Sequence, residues 1–233
     1  MISPRLKEML EAVGQCRVLA DIGTDHAYLP IEAIRAGFCE TAIACDIVHG
    51  PLKMAEFNIR AAGFAGRIET RLGDGLQPLA PNEADCITIA GMGGKNIMHI
   101  LSAAPQTAEN ARLILQPQHD LEDLRRFLHA NSYNILEEKL VHEKSKKQSR
   151  FYVILIASYT TDLITPWTDA DYFLGQINSP HLHEYLREKH RKISGYINSV
   201  SDISAQKLAQ QRLEWIYEKL EDLGVPPQTP QTF

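Results

Sequence analysis

Three times in the first third of the chain, an apolar run ends at an acid, twice with glycine at the turn. Asp21 and Asp25 flank Gly23 in Asp21-Ile-Gly-Thr-Asp25-His26-Ala-Tyr28, Asp46 closes the run Thr41–Asp46, and Asp74 sits between Gly73 and Gly75. Glycine tolerates sharp turns and close backbone approaches. Ligands of open parallel sheets collect beyond the carboxyl ends of the strands. Measured against the dinucleotide fingerprint GxGxxG, only the first glycine is present, with Asp25 at the second position and Tyr28 at the third. A carboxylate about 4 Å from a like charge costs roughly 1 kcal/mol in water and several times that in a partly buried cleft. A pyrophosphate is therefore a poor ligand for this turn.

S-adenosylmethionine carries a sulfonium and an ammonium and no phosphate, so Asp21 and Asp25 attract it. Asp46 lies 23 residues after Gly23, near the spacing of the acid that accepts from ribose hydroxyls. Asp74 is placed to accept from an exocyclic adenine amine. The fourth run leads into Ala90-Gly91-Met92-Gly93-Gly94 and lacks the Asn/Asp-Pro-Pro-Tyr/Phe of amino-directed adenine methyltransferases. Its small residues leave backbone groups open to a flat ring, which makes Gly93 and Gly94 candidate substrate contacts. Gln116 and Pro117, with Gln118 following, offer amides able to pair with a base edge. Each residue type alone also forms ordinary turns; acids at three successive strand ends favour a site.

These turns need a framework, and the pattern supplies one. Strands are expected at Cys16–Ile22, Thr41–Asp46, Arg67–Leu72, Ala84–Ala90 and Arg112–Gln116, separated by helices at Ala27–Ala36, Pro51–Ala62, Lys95–Ala104 and Asp120–Ala130. Continuous apolar strands alternating with helices imply a parallel sheet covered on both faces. Tyr133–His142 and Phe151–Ser158 have only the basic turn Glu143–Arg150 between them and read as an antiparallel pair. The expected class is α/β, a sheet parallel but for one antiparallel strand, which by fold analogy is that of class I methyltransferases. A polar link, Thr160–Thr168, precedes a change of pattern. Leu182, Leu186, Ile193, Ile197 and Val200, then Leu208, Leu213, Ile216, Leu220 and Leu223, recur at helical spacing and predict a C-terminal α-helical coiled hairpin. The expected domains are 1–159 and 160–233, with a fraying tail at Gly224–Phe233.

With 233 residues, 44% apolar and 23% charged, the chain has a globular composition. A net charge of −5 excludes a generally basic nucleic-acid coat protein and leaves room for local basic faces. Candidate phosphate contacts are Arg5 and Lys7; Lys144, Lys146, Lys147 and Arg150; and Arg187, Lys189, Arg191 and Lys192. The acids Glu143, Glu184 and Glu188 between them make a solvated charged face the alternative. Cys16, Cys39, Cys45 and Cys86 have no CxxC spacing and read as free thiols, consistent with a cytoplasmic setting. The expectation is a protein without membrane spans or metal ligands, a monomer or weak dimer.

The segments ADIGTDHAYLPI (20–31), GDGL (73–76), ITIAGMGG (87–94) and LILQPQ (113–118) resemble the bacterial TrmK family of tRNA adenine-22 N1-methyltransferases. The resemblance also covers the helical C-terminus. It implies a Rossmann-like catalytic domain, S-adenosylmethionine as methyl donor and tRNA as substrate. By position it assigns Asp21, Gly23, Asp46, Asp74, Gly75 and Gly91, with Met92 beside them, to the cofactor. It assigns Asp25, His26 and Tyr28 to the reacting methyl and adenine; the tRNA contacts expected at Arg187, Lys189 and Arg191 rest on the charge cluster of the hairpin. Other readings stay open: a methyltransferase of another substrate, a non-catalytic module binding tRNA or sensing S-adenosylmethionine, or an NAD-dependent oxidoreductase.

Overall fold

The computed structural model describes residues 2–144 and 149–225, so Lys146, Lys147 and most of the Pro-rich tail lie outside the described residues. The chain divides into two compact units, Met1–Thr165 and Pro166–Phe233. The first begins with helix α1 (Pro4–Val13), capped by the Ser3 hydroxyl, followed by β1 (Cys16–Ile22), α2 (Tyr28–Arg35), β2 (Cys39–Asp46), α3 (His49–Ala61) and β3 (Ile68–Leu72). It continues with β4 (Cys86–Met92), α4 (Gly94–Ala103), the short α5 (Pro105–Ala108), β5 (Arg112–Pro117), α6 (Leu121–Ala130), β6 (Tyr133–Lys144) and β7 (Ser149–Tyr159).

The seven strands form one sheet in the order β3-β2-β1-β4-β5-β7-β6. β1 to β5 are parallel, and β7 runs against both β5 and β6. This is the Rossmann-like methyltransferase arrangement. The central strands are mostly apolar because helices cover both faces: Leu19, Ala20, Ile87, Ile89, Leu113, Ile114 and Leu115 are buried. From β1 the chain builds outward through β2 to β3, then returns to the other side of β1 with β4. That reversal opens a crevice beyond the carboxyl ends of β1 and β4. Cys39, Cys45 and Cys86 are buried free thiols and Cys16 is half-buried. Burial pushes the thiols of Cys45 and Cys86 up to about 12.

The second unit holds α7 (Asp169–Leu174), α8 (Leu182–Ile197) and α9 (Ile203–Asp222). A capping box between Thr168 and Asp171 starts α7, and the Asp202 carboxylate caps α9. The α8 and α9 helices pack on one another, with His190 Nε2 2.8 Å from the Tyr217 hydroxyl. Leu182, Leu186, Ile216 and Leu220 are buried as their spacing predicts, whereas Leu208 and Leu223 are exposed and the neighbouring Ala209 is buried instead. No helix among the described residues is long and apolar enough to cross a membrane.

Candidate active site

The turn after β1 is held from below by Asp21. Its Oδ1 accepts from the Thr88 hydroxyl at 2.6 Å and its Oδ2 from the Thr24 hydroxyl at 2.7 Å. Thr88 is the residue paired with Asp21 in the β1–β4 register. Burial pushes the Asp21 carboxyl above its ordinary range, against the two threonine bonds that favour ionisation, and the charge of Asp46 adds to the rise. Among the described residues no cation pairs with it. A buried acid without a counter-ion suits a cationic ligand and repels an anionic one.

Above it the backbone turns sharply. Gly23 has φ +73°, and a Cβ there would lie 3.0 Å from Met92 Cε. Both Gly23 and Thr24 donate their N–H groups to the Cys45 carbonyl at 2.9 Å, tying the turn to β2. Asp25 (φ 50°) and Ala27 (φ 56°) adopt the left-handed conformation that non-glycine residues seldom take. That turn lifts the Asp25 side chain to 67% exposure. His26 Nε2 lies 3.3 Å from Asp25 Oδ2, and its Nδ1 is buried with no hydrogen-bond partner among the described residues. The His26 ring is 5.3 Å from that of Tyr28, which is 57% exposed, and the Asn58 amide donates to the His26 carbonyl at 3.0 Å.

A cavity of about 690 Å³ is lined by Asp21, Gly23, Asp25, His26 and Tyr28 of this turn. Gly91, Gln118 and the α1 residues Arg5, Leu6 and Met9 complete much of the wall. Asp46 and Asp74 do not line it; they continue the row of strand ends across β2 and β3. Asp46 Oδ1 accepts from the Val48 N–H at 2.8 Å. Asp74 is exposed between Gly73 and Gly75. The loop that carries it is pinned by Arg71, whose Nη1 reaches the Pro78 carbonyl at 3.0 Å and Glu83 at 2.8 Å.

The β4 turn departs from expectation. Gly91, at φ +78°, sits where the β4–β5 register shifts between Ala90 and Met92, a bulge that re-aims the strand end. The Gln118 amide donates to its carbonyl at 2.7 Å. Gly93 and Gly94, expected to present backbone to a substrate ring, are buried. A Cβ on Gly93 would overlap the His119 ring, and one on Gly94 would lie 2.7 Å from the Asp120 carbonyl, so these glycines admit the segment after β5. Gln116 is also withdrawn from any base edge. It is fully buried, its Oε1 accepts from Arg5 Nη1 at 3.1 Å, and its Nε2 donates to the Pro117 carbonyl at 2.9 Å. Pro117, buried at the end of β5, offers its carbonyl to Gln116 instead of to a ligand. The amide that reaches the cavity is Gln118.

In the helical unit, Lys189 is withdrawn from phosphate binding in the same way. Its ammonium donates to the Phe173 carbonyl at 2.7 Å and lies 4.0 Å from the Phe173 ring centroid. Lys192 pairs with Glu188 at 2.5 Å. Arg187 and Arg191, four residues apart on α8, are exposed.

A doubly wound sheet with its crevice at the β1–β4 reversal, and an uncompensated acid beneath a glycine turn, is the architecture of a methyltransferase domain. The family of that description matches residues 2–155, and the chain belongs to it. Its relatives include the tRNA (adenine(22)-N(1))-methyltransferase of Bacillus subtilis, 39% identical over 157 residues, which make up 67% of this chain and 64% of that protein. The aligned stretch thus falls just short of two thirds of that relative's length. The crystal structure of the B. subtilis m1A22 tRNA methyltransferase TrmK superposes with a TM-score of 0.70 at 29% identity, covering 96% of this chain and 97% of that one. Streptococcus pneumoniae Sp1610, solved in complex with S-adenosyl-L-methionine, gives 0.84 at 31% identity, covering 94% and 100%.

Proposed function

We propose that this protein transfers a methyl group from S-adenosylmethionine to N1 of an adenine in tRNA, adenine 22 by its similarity to the B. subtilis enzyme. The observation that carries the reading is the buried Asp21 carboxylate, which borders the cavity without a cation of its own. When bound, the donor supplies an electrophilic methyl on a sulfonium. Asp21 and the Gly23 turn hold its cationic portion, Asp46 takes the ribose hydroxyls, and Asp74, with Gly75 beside it, takes the adenine amine. Gly91 and Met92 flank it from β4. An exposed carboxylate, a histidine leaning on it and an exposed aromatic ring form the substrate side of the turn.

Adenine N1 has a free lone pair and needs no base to activate it, so positioning and charge stabilisation are the enzyme's tasks. Asp25 stabilises the positive charge left on the methylated ring or accepts its acidified N6 proton. His26 fixes the Asp25 carboxylate. Tyr28 stacks on the base, a contact that contributes about 1–3 kcal/mol. Reaching N1 requires the adenine to leave its pairing, so the base is displaced from its stack. The sheet unit carries the chemistry and the helical unit assists tRNA docking through Arg187 and Arg191. The deciding experiment incubates the protein with tRNA and methyl-labelled donor and maps the modified nucleotide by mass spectrometry. Label at N1 of adenine 22 upholds the reading, and label confined to protein or small-molecule acceptors overturns it.

A further inference from the structure

Arg5 on α1 and Gln116 at the end of β5 are 111 residues apart in sequence and joined by a hydrogen bond at the cavity wall. Three contacts fix Arg5. Its Nη1 donates to Gln116 Oε1 at 3.1 Å, its guanidinium lies 5.1 Å from the Tyr152 ring centroid, and its backbone N–H donates to Glu143 Oε1 at 2.9 Å. The guanidinium itself forms no ion pair with a carboxylate among the described residues. Gln116 cannot turn away, because it is fully buried and its other amide end is held by the Pro117 carbonyl. The N–H groups at the start of α1 are already engaged, that of Leu6 by the Ser3 hydroxyl and that of Lys7 by the Ser3 carbonyl. The guanidinium is therefore the group at this wall left to meet an anion. The other charged or titratable groups of the lining are Asp21, Asp25 and Glu32, with His26 and Tyr28, so among the described lining residues the Arg5 guanidinium is the permanently charged cation that an entering polyanion meets.

We infer that Arg5 binds a phosphodiester next to the target nucleotide of tRNA, and that Gln116 and Tyr152 are positioning residues that aim its fork. This rests on the tRNA reading above and adds to it the group that admits backbone charge into an acidic cavity. A planar guanidinium with one N–H fixed keeps further donors for phosphate oxygens. The test combines equilibrium tRNA binding across a salt series with steady-state kinetics. Arg5→Gln, which keeps a donor for Gln116 and removes the charge, is expected to lower the slope of log K against log salt by about 0.7–0.9 and to raise KM for tRNA about tenfold or more, with donor affinity unchanged. Arg5→Lys restores the slope. Gln116→Met leaves the slope intact and raises KM for tRNA; if it fails to fold, the two Arg5 variants decide alone. An unchanged slope and KM in Arg5→Gln overturn the assignment while methylation by the unaltered chain stands. Absence of methylation with a slope still lowered by Arg5→Gln removes the methyltransferase reading and keeps the anion site. Absence of tRNA binding by the unaltered chain overturns both.

Discussion

The flanks of the sheet and its carboxyl rim treat charge in opposite ways. On the flank, Arg125 of α6 and Glu138 of β6 are both buried and meet at 2.7 Å, and Arg71 is gripped by Glu69 and Glu83. At the rim, among the described residues, Asp21 has no cation and the Arg5 guanidinium no carboxylate, while Asp74 faces solvent and Asp25, also exposed, has only the His26 ring beside it. Paired charges hold the scaffold in shape. Unpaired ones are what a charged ligand can use, and the framework tolerates them because threonine hydroxyls and backbone groups do the holding.

Variants in the two regions should accordingly fail differently. The largest effect is expected on the flank: Glu138→Ala leaves the Arg125 guanidinium buried beside an emptied partner site, a loss of about 3–5 kcal/mol. Urea denaturation measures it, and a loss under 1 kcal/mol would place the Arg125 charge among other partners. Next comes Asp25→Asn at the rim, since asparagine accepts the left-handed backbone there. Turnover should fall roughly 100-fold with the melting temperature unchanged and donor affinity within a few-fold. Equal losses in turnover and donor affinity would make Asp25 a binding group only.

The acids of the two regions also titrate with opposite sign. Hydrogen bonds from Arg71 hold Glu83 below the ordinary carboxylate range. Its stabilising contribution is present above the unfolded value near 4.3 and is lost as pH falls through the lower folded value. Asp21 is raised, so the folded state resists its ionisation and stability is lost as pH climbs from about 4 through the folded value. In a series of melting curves, Glu83→Gln should therefore differ from the parent chiefly at neutral pH and converge with it in acid. Asp21→Asn should melt above the parent at neutral pH, because a threonine hydroxyl can accept from the new amide, and that advantage should vanish near pH 3. An advantage independent of pH would trace it to packing and not to charge. The smallest effect is expected in the helical unit. Arg187→Ala with Arg191→Ala should leave stability untouched and lower the salt slope of tRNA binding by about 1.4–1.8; an unaltered slope moves docking elsewhere.

The chain alone revealed the strand–helix alternation, the β6–β7 pairing and the acids at the strand ends, because each is written in local periodicity or in residue type next to glycine. It did not reveal which of two glutamines would face the cavity. Gln116 and Gln118 are chemically identical, and the choice depends on the bulge at Gly91 and on Arg5 arriving from a distant helix. Thr88 was hidden for another reason. Threonine is an ordinary strand residue, and only the β1–β4 register turns it into a donor for Asp21. Lys189 belonged to a basic cluster by composition, yet the Phe173 carbonyl and ring claimed its ammonium. Nothing in the residues ahead of β1 said that the helix they form, α1, would wall the cavity.

That last placement bears on how the protein is handled in the laboratory. Ile2 and Ser3 already border the cavity, so an affinity handle fused ahead of them emerges at the rim where the substrate must enter. A handle that is cut away before measurement leaves binding constants that report on the entrance itself.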